Sequence, residues 1–275
     1  MFVKKLKYIL VILLFYQTPL YSKSTSFDNF NSKNLSSYFS GIVAFENKNN
    51  TKALNFFNSS KILLNKHDPY LKRYIYSLVL ENKISQAINI IKQNENKNNS
   101  IFFESYMLLI IDSLKKGDLN KASNYLLSAR KIAKQDQFNS AILETLKQYI
   151  FVFREKKIPD NKKNFGNLSI ISETFQRCYL EDPETEAYFS NMINNKEGDF
   201  SRYIYFYLGY LIENNRIKDA KKITDSIKFI NANLLLSQGK NWIETDNANR
   251  LKEVFSCKNY NDVVSEFLFL ISNLY

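Results

Sequence analysis

The sequence contains one histidine, His67, which is too few for the usual hydrolases and zinc enzymes. A serine or cysteine hydrolase brings together a nucleophile, a base and an orienting group, and the base is most often histidine. A zinc protease of the common kind needs two histidines on one helix face. His67 lies in the segment LLNKHDPYL, which is typical of a turn. We therefore expect His67 to be a loop residue between two helices.

Carboxylates are the other side chains that could do acid–base chemistry. Any two of the 27 acidic residues could meet in space and hydrolyse a glycosidic bond, but no acidic pair stands in a recognisable motif. The sequence also lacks glycine-rich phosphate loops. We expect the acidic residues to be charges on helix faces and at helix starts. We expect no catalytic residue, no metal and no cofactor. The carboxylates concerned are Glu155, Glu173, Glu181, Asp182 and Glu184.

The composition favours helices. Apolar residues make up 45% of the 275 residues and charged residues 24%, which is typical of a globular protein. Only six glycines and four prolines are present, and no Asn-Gly or Asp-Gly pair occurs, so a sheet protein with many tight turns would lack its turn residues. The sequence therefore predicts an all-α protein.

The net charge is +11, from 38 basic and 27 acidic residues, and such an excess is compatible with nucleic acid or an anionic membrane as partner. Lys, Asn, Ile, Tyr and Phe are all frequent, however, as expected when an AT-rich genome biases the codons. Scattered charges usually belong to solvated helix faces. We expect no nucleic-acid partner, and nucleic-acid binding stays an alternative because aromatic clusters beside basic residues can stack bases.

The N-terminal segment has the layout of a signal peptide. Residues 1–24 read MFVKKLKYILVILLFYQTPLYSKS, with three lysines before an apolar run over residues 8–16. This run is shorter than the roughly 20 apolar residues that a membrane-spanning helix needs. We expect residues 1–24 to be a signal peptide, residues 25–34 to be a linker, and the protein to be exported to the periplasm. The alternative is an uncleaved anchor, in which residues 8–16 hold the protein to the inner membrane.

Export would place the two cysteines in an oxidising compartment, where Cys178 and Cys257 could form a disulfide. They stand 79 positions apart, and spacing alone does not show whether their Cβ atoms meet. Two separate buried thiols are the equal alternative.

Three alanines mark a repeat. Ala53, Ala87 and Ala122 are separated by 34 and 35 residues. A large apolar residue stands four positions after each alanine on the same helix face, and a turn-tolerant or polar residue stands five positions before it. The small side chain lets a second helix approach closely, and the large one fills the gap beside it. The large residues are Phe57, Ile91 and Leu126, and the turn residues are Lys48, Asn82 and Gly117.

These offsets resemble the tetratricopeptide repeat family, whose unit is a pair of antiparallel helices with a small residue early in the second helix. The first unit matches best, with small or matching residues at Gly41, Ala44, Ala53, Phe57 and Ser60, and Pro69 beginning the next unit. The resemblance implies an α-solenoid of stacked helix pairs over residues 35–135. Together with the N-terminal segment, the chain is similar to exported bacterial proteins of this kind.

The second half, residues 136–275, is expected to be an irregular helical continuation of the solenoid. One further unit resembles the family near residues 201–230, with Asn215 in the turn, Ala220 in the small position and Ile223 as its large neighbour.

Three helices are predicted between these regions, and one at the C-terminus. The first three cover about 136–154, 167–181 and 184–195, with the loop KKIPDNKKNFG after the first. Residues 262–275 form an apolar helix that folds back on its neighbours, docks on another chain, or continues into a longer repeat protein.

In the family, the first helix of each unit lines the concave face that binds a ligand. We transfer these ligand-facing positions to the present sequence by counting from the repeat alanines. The resemblance then implies a groove with tyrosines, a methionine and a few charges, which suits an extended or helical peptide. The residues so implied are Tyr38, Lys72, Tyr76, Met107, Arg202 and Tyr205, with Ile42, Phe45, Glu104 and Ile111 beside them. The alternative for the apolar residues is a place in the core.

We therefore expect a non-catalytic exported scaffold that binds a protein or peptide partner in the cell envelope. It would touch a membrane only through its N-terminal segment, if that segment is uncleaved. The alternative is the helical, non-catalytic part of a cell-wall lytic enzyme or of a larger envelope or secretion protein, since some lytic enzymes carry a helical superhelix ahead of a catalytic domain.

Overall fold

The computed structural model describes residues 31–95, 102–133, 136–160, 162–194, 200–227 and 233–273. Within these residues all regular structure is helical and no strand forms, so the all-α prediction is confirmed. The expected signal peptide or anchor, residues 1–24, lies outside the described residues. In the described part of the chain, no helix is long and apolar enough to span a bilayer.

The chain divides into two compact units, which meet in sequence after Ile90. The first unit holds α1 (Ser32–Glu46), α2 (Asn50–Ser59), a 3₁₀ turn (Lys61–Asn65), α3 (Asp68–Leu80) and most of α4 (Ile84–Asn94). The second holds α5 (Phe103–Lys115), α6 (Leu119–Ile132), α7 (Gln137–Glu155), α8 (Asn167–Tyr179), α9 (Thr185–Asn194), α10 (Ser201–Glu213), α11 (Ile217–Ser226), α12 (Leu234–Glu244), α13 (Arg250–Val254) and α14 (Tyr260–Ser272).

The first described helix begins within the expected linker. Asn31 caps α1, because its side-chain oxygen accepts a hydrogen bond of 2.9 Å from the amide of Lys33. Residues 32–34 therefore form the first turn of α1.

The same turn ends six of the helices. In each turn, one residue has a left-handed backbone, and the amide of the residue after it donates to a carbonyl five positions back, at 2.8 to 3.0 Å. This is the Schellman arrangement, which satisfies carbonyls at the end of a helix. The turn predictions at Lys48, Asn82, Gly117 and Asn215 are confirmed. The six left-handed residues are Lys48, Asn82, Gly117, Glu181, Asn215 and Asp246.

The turns at Glu181 and Asp246 were not expected from the sequence. Glu181 lies in a segment that was interpreted as a helix start, and it stands 34 residues before Asn215. Helices α8 and α9, on either side of Glu181, pack on each other as α1 and α2 do. The helix pair is therefore present in the region that appeared irregular in sequence.

Replacing Lys48 by glycine should raise the free energy of unfolding by about 1 kcal/mol. A left-handed backbone costs a residue with a Cβ atom about 1–2 kcal/mol, and glycine adopts it freely, although glycine also loses more chain entropy on folding. Urea denaturation of K48G and of the matched variant K48A measures the difference in the free energy of unfolding between glycine and a residue with a Cβ atom at this position. K48A keeps the strain and should be close to the wild type, and equal stability of the two variants would contradict the assignment.

The repeat alanines lie in the core. The side chains of Ala53, Ala87, Ala122 and Ala220 have no exposed surface. Close approach is clearest at Gly41 of α1, where an added Cβ would lie 2.8 Å from the ring of Phe57. Small residues therefore allow the helices of a pair to pack closely.

The expectation for Ile223 is wrong. Four residues after Ala220 the buried side chain is Thr224, whereas Ile223 is only half-buried. The buried residue thus keeps the offset of four, although it is a threonine and not a large apolar residue. In α9, Thr185 and Phe189 are a buried pair with the same offset of four, but Thr185 stands four residues after the left-handed Glu181, one fewer than the alanines at four of the other turns.

The C-terminal helix α14 folds back on its neighbours, which was one of the three alternatives. The ring of Phe267 meets that of Tyr149 edge-on, with centroids 5.6 Å apart. Tyr260 packs on Phe153 in the same way and donates a hydrogen bond of 2.7 Å to the carbonyl of Leu114. The apolar face of α14 is thus largely covered by α7 and α8 within this chain.

Candidate partner-binding site

Tyr38, which the resemblance places in a binding groove, lies in the core of the first unit. Its ring packs against Phe57 and Tyr70, with centroids 6.0 and 5.8 Å away. Its hydroxyl lies 3.2 Å from Nε2 of His67, which is in the turn before α3 as expected. Burial raises the pKa of Tyr38. Tyr38 is therefore occupied by internal packing and offers no free surface to a partner.

Lys72 and Tyr76 are at the surface of the first unit. They lie one turn apart on α3, and the Lys72 ammonium is 5.4 Å from the centre of the Tyr76 ring. Ile42 and Phe45 of α1 are half-buried. In the second unit, Met107 is half-buried on α5, together with Glu104 and Ile111.

Arg202 forms an ion pair with a buried carboxylate inside the second unit. Its Nε donates to both oxygens of Glu266, at 2.9 and 3.1 Å, and its Nη2 donates to Oε2 at 2.7 Å. Its guanidinium also lies over the ring of Phe269, 4.0 Å from the centroid. These hydrogen bonds raise the pKa of Arg202. The ion pair gives Arg202 a structural role, because Glu266 is only 3% exposed and is neutralised by this cation, while its role in binding a partner stays a prediction.

Tyr205 is also corrected from groove to core. It is 1% exposed, and burial raises its pKa to about 12. A Cβ at Gly239 of α12 would lie 3.2 Å from its ring, and among the described residues its hydroxyl has no hydrogen-bond partner. The cause is the position of α10, which α9, α11, α12 and α13 contact.

The candidate carboxylates near the α8–α9 turn form ion pairs rather than an acid–base pair. Arg177 bonds to Glu173 and Asp182, each at 3.0 Å, and pairs with Glu184 at 2.7 Å. Burial opposes the ionisation of Glu173, but its hydrogen bonds, first that from Lys162, hold its pKa below the usual value. Among the described residues, no three of His, Cys, Asp and Glu could hold a metal ion together.

The cysteines are paired, which resolves the alternative left open by the sequence. Cys178 is the penultimate residue of α8 and Cys257 precedes α14, with their Cα atoms 5.7 Å apart. Both are buried. The bond fixes the α8–α9 turn to the segment that leads into α14.

A groove lies between α6 and α7 in the second unit. Its floor is apolar, and Leu127 projects from its wall with 58% of its surface exposed. A large apolar side chain held in a groove is a typical anchor point for a partner. The groove, which we call the α6–α7 groove, has a volume of about 260 Å³ and is lined by Ser123, Leu126, Leu127, Arg130, Lys147, Ile150, Phe151 and Arg154.

Cations stand on both walls of the α6–α7 groove. Arg130 and Lys147 share Glu144, the second at 3.5 Å. Arg154 pairs with its neighbour Glu155 at 2.7 Å. Three cations thus share two carboxylates, and the groove keeps a positive charge.

Sequence reasoning missed this groove, although a signal was present. On each helix three groove residues follow the spacing i, i+4, i+7, which places them on one face. In both helices the middle residue is apolar and the last is arginine. The two sets are Ser123, Leu127 and Arg130 on α6, and Lys147, Phe151 and Arg154 on α7.

The described architecture is that of an all-α chain with a recurring helix–turn–helix pair. No protein-family model matches the sequence, and no curated protein or solved structure matches it significantly. The tetratricopeptide resemblance therefore stays a prediction.

Proposed function

We propose that this chain is a non-catalytic, exported helical-repeat scaffold that binds a protein or peptide partner in the cell envelope. The observation that carries the proposal is the α6–α7 groove, in which the exposed Leu127 stands above an apolar floor. Apolar grooves between helices commonly bind the apolar face of a peptide. Of the residues first implied, Lys72 and Tyr76 in the first unit and Met107 and Arg202 in the second are at least partly accessible, and their roles in binding stay predictions.

The proposed scaffold is a solenoid of the tetratricopeptide type. Support comes from the shared turn at six helix ends and from the spacing of about 34 residues between several of these turns. The buried small–large pairs, such as Ala53 with Phe57, also fit this type. Stacked pairs of this kind provide extended surfaces for binding other proteins.

Export to the periplasm is part of the same proposal. It is supported by the layout of residues 1–24 and by the disulfide, since structural disulfides persist mainly in oxidising compartments. Retention at the inner membrane through residues 8–16 is the alternative, and secretion of a reporter fused to residues 1–24 would distinguish them.

Replacing Leu127 by aspartate should abolish capture of the envelope partner without affecting the fold. A charge at this point opposes burial of the partner's apolar face, whereas substitution of an exposed side chain usually changes stability by less than about 0.5 kcal/mol. The measurement is affinity capture from envelope extract with wild type and L127D, followed by mass spectrometry.

Ile62 offers a matched control for this experiment. It is also 58% exposed but lies in the first unit, away from the groove residues in sequence. I62D should retain the partner. Loss of the same partner from both variants, or from neither, would contradict the assignment of the groove.

A further inference from the structure

We propose that the α6–α7 groove binds an acidic amphipathic helix of a partner protein. This inference rests on the proposed function and names the chemistry of the partner at the same site.

The shape of the groove fits a helix. Each wall presents three residues at i, i+4 and i+7, over about two helical turns, and between them Leu126 and Ile150 are buried as the floor. An amphipathic helix presents its apolar side chains with the same spacing. Leu127 and Phe151, in the middle of the two walls, would contact that apolar stripe from both sides.

The positive charge around the groove favours a negatively charged partner. Over their whole length, helices α6 and α7 carry five cations and two carboxylates, a net charge of +3. Three of the cations line the groove itself, and Arg130 and Arg154 stand on opposite walls. Both sides of a bound helix would therefore meet positive charge, so acidic residues flanking its apolar stripe are favoured.

The same observations favour a protein helix over a nucleic acid or a membrane. Nucleic-acid platforms stack successive bases on several aromatic rings, and Phe151 is the one aromatic residue among the groove's lining residues. A flat bilayer surface would reach the rim cations but would leave the recessed floor of Leu126 and Ile150 without contacts.

Fluorescence anisotropy with a defined probe tests the inference on the full chain. The probe is a labelled helical peptide of about 16 residues with leucines at i, i+4, i+7 and i+11, glutamates flanking this stripe and alanine elsewhere, and the control peptide has lysine in place of each glutamate. We expect the acidic peptide to bind at least about tenfold more tightly than the basic one. Binding should weaken with added salt and be lost in L127D.

A charge reversal on the rim tests the electrostatic part separately. Lys147 and Arg154 are both well exposed, so K147E with R154E should leave the helical circular dichroism unchanged. In this double variant the preference should move to the basic peptide. Equal binding of the two peptides by the wild type, or an unchanged preference in the double variant, would overturn the inference.

Two further probes cover the other classes of partner. Tighter binding to phosphatidylglycerol vesicles or to an oligothymidine strand than to the acidic peptide would overturn the inference as well. Its failure would be distinguishable from failure of the proposed function, since a scaffold with a different partner would still lose that partner on L127D substitution.

Discussion

Removal of the disulfide between Cys178 and Cys257 is expected to lower the free energy of unfolding by about 4 kcal/mol. The bond joins residues 79 positions apart, and closing a loop of that length removes a large part of the entropy of the unfolded chain. It also holds the end of α8 against the segment before α14, where both cysteines are buried. A loss of this size is a large fraction of the stability of a typical domain.

Urea denaturation of wild type with and without a reducing agent measures this contribution, and C178A/C257A serves as the control. The reducing agent should lower the midpoint of the wild type towards that of the double variant and should leave the double variant unchanged. A wild-type midpoint that is insensitive to full reduction would contradict the role assigned to the bond.

Replacement of Arg202 by alanine is the second change with a large expected effect, a loss of about 3 kcal/mol. It would leave the Glu266 carboxylate, which is 3% exposed, without the cation that donates three hydrogen bonds to it. The packing of the guanidinium on Phe269 would be lost as well. Thermal or urea unfolding of R202A gives the size of the loss.

Arg216 provides the matched control. Its side chain is as exposed as that of Arg202, but its partners Glu186 and Asp219 are 43% and 37% exposed. R216A should therefore cost less than about 1 kcal/mol, as exposed pairs usually do. In a chain that also carries E266L, R202A should cost much less than in the wild type, and an unchanged cost would show that Glu266 is not the reason for the loss.

Helix positions and turns could be predicted well from local sequence. The three middle helices were expected within about two residues of their observed ends, because apolar spacing and Pro or Gly punctuation are local signals. Lys48, Asn82 and Gly117 were found from their fixed distance to an alanine. The Glu181 turn was missed because the position five residues later, where four of the other turns have an alanine, is Glu186, and the buried Thr185 stands one residue earlier.

The roles of individual site residues could be predicted less well. The position of a residue on one helix cannot show how many other helices surround that helix. Four helices contact α10, so Tyr205 is in the core. Arg202 was placed in the groove by its register alone, and its ion pair could not be predicted because Glu266 stands 64 positions away in the sequence. The pairing of the cysteines likewise depends on contacts that sequence spacing does not encode.

The α6–α7 groove was missed for a related reason. Its two walls come from consecutive helices of different length, and the alanine repeat ends with the first of them. The apolar and arginine spacing on α6 and α7 is visible in the sequence, but only the packing of the two helices turns two stripes into a groove.

Site-specific photo-crosslinking tests the central claim, that this groove binds a protein partner, most directly. A photoreactive amino acid is placed in living cells at the position of Leu127, and in a second strain at the position of Ile62. We expect irradiation to join one defined envelope protein to the chain from position 127 and not from position 62. No crosslinked protein at position 127, or the same set of products at both positions, would contradict the claim.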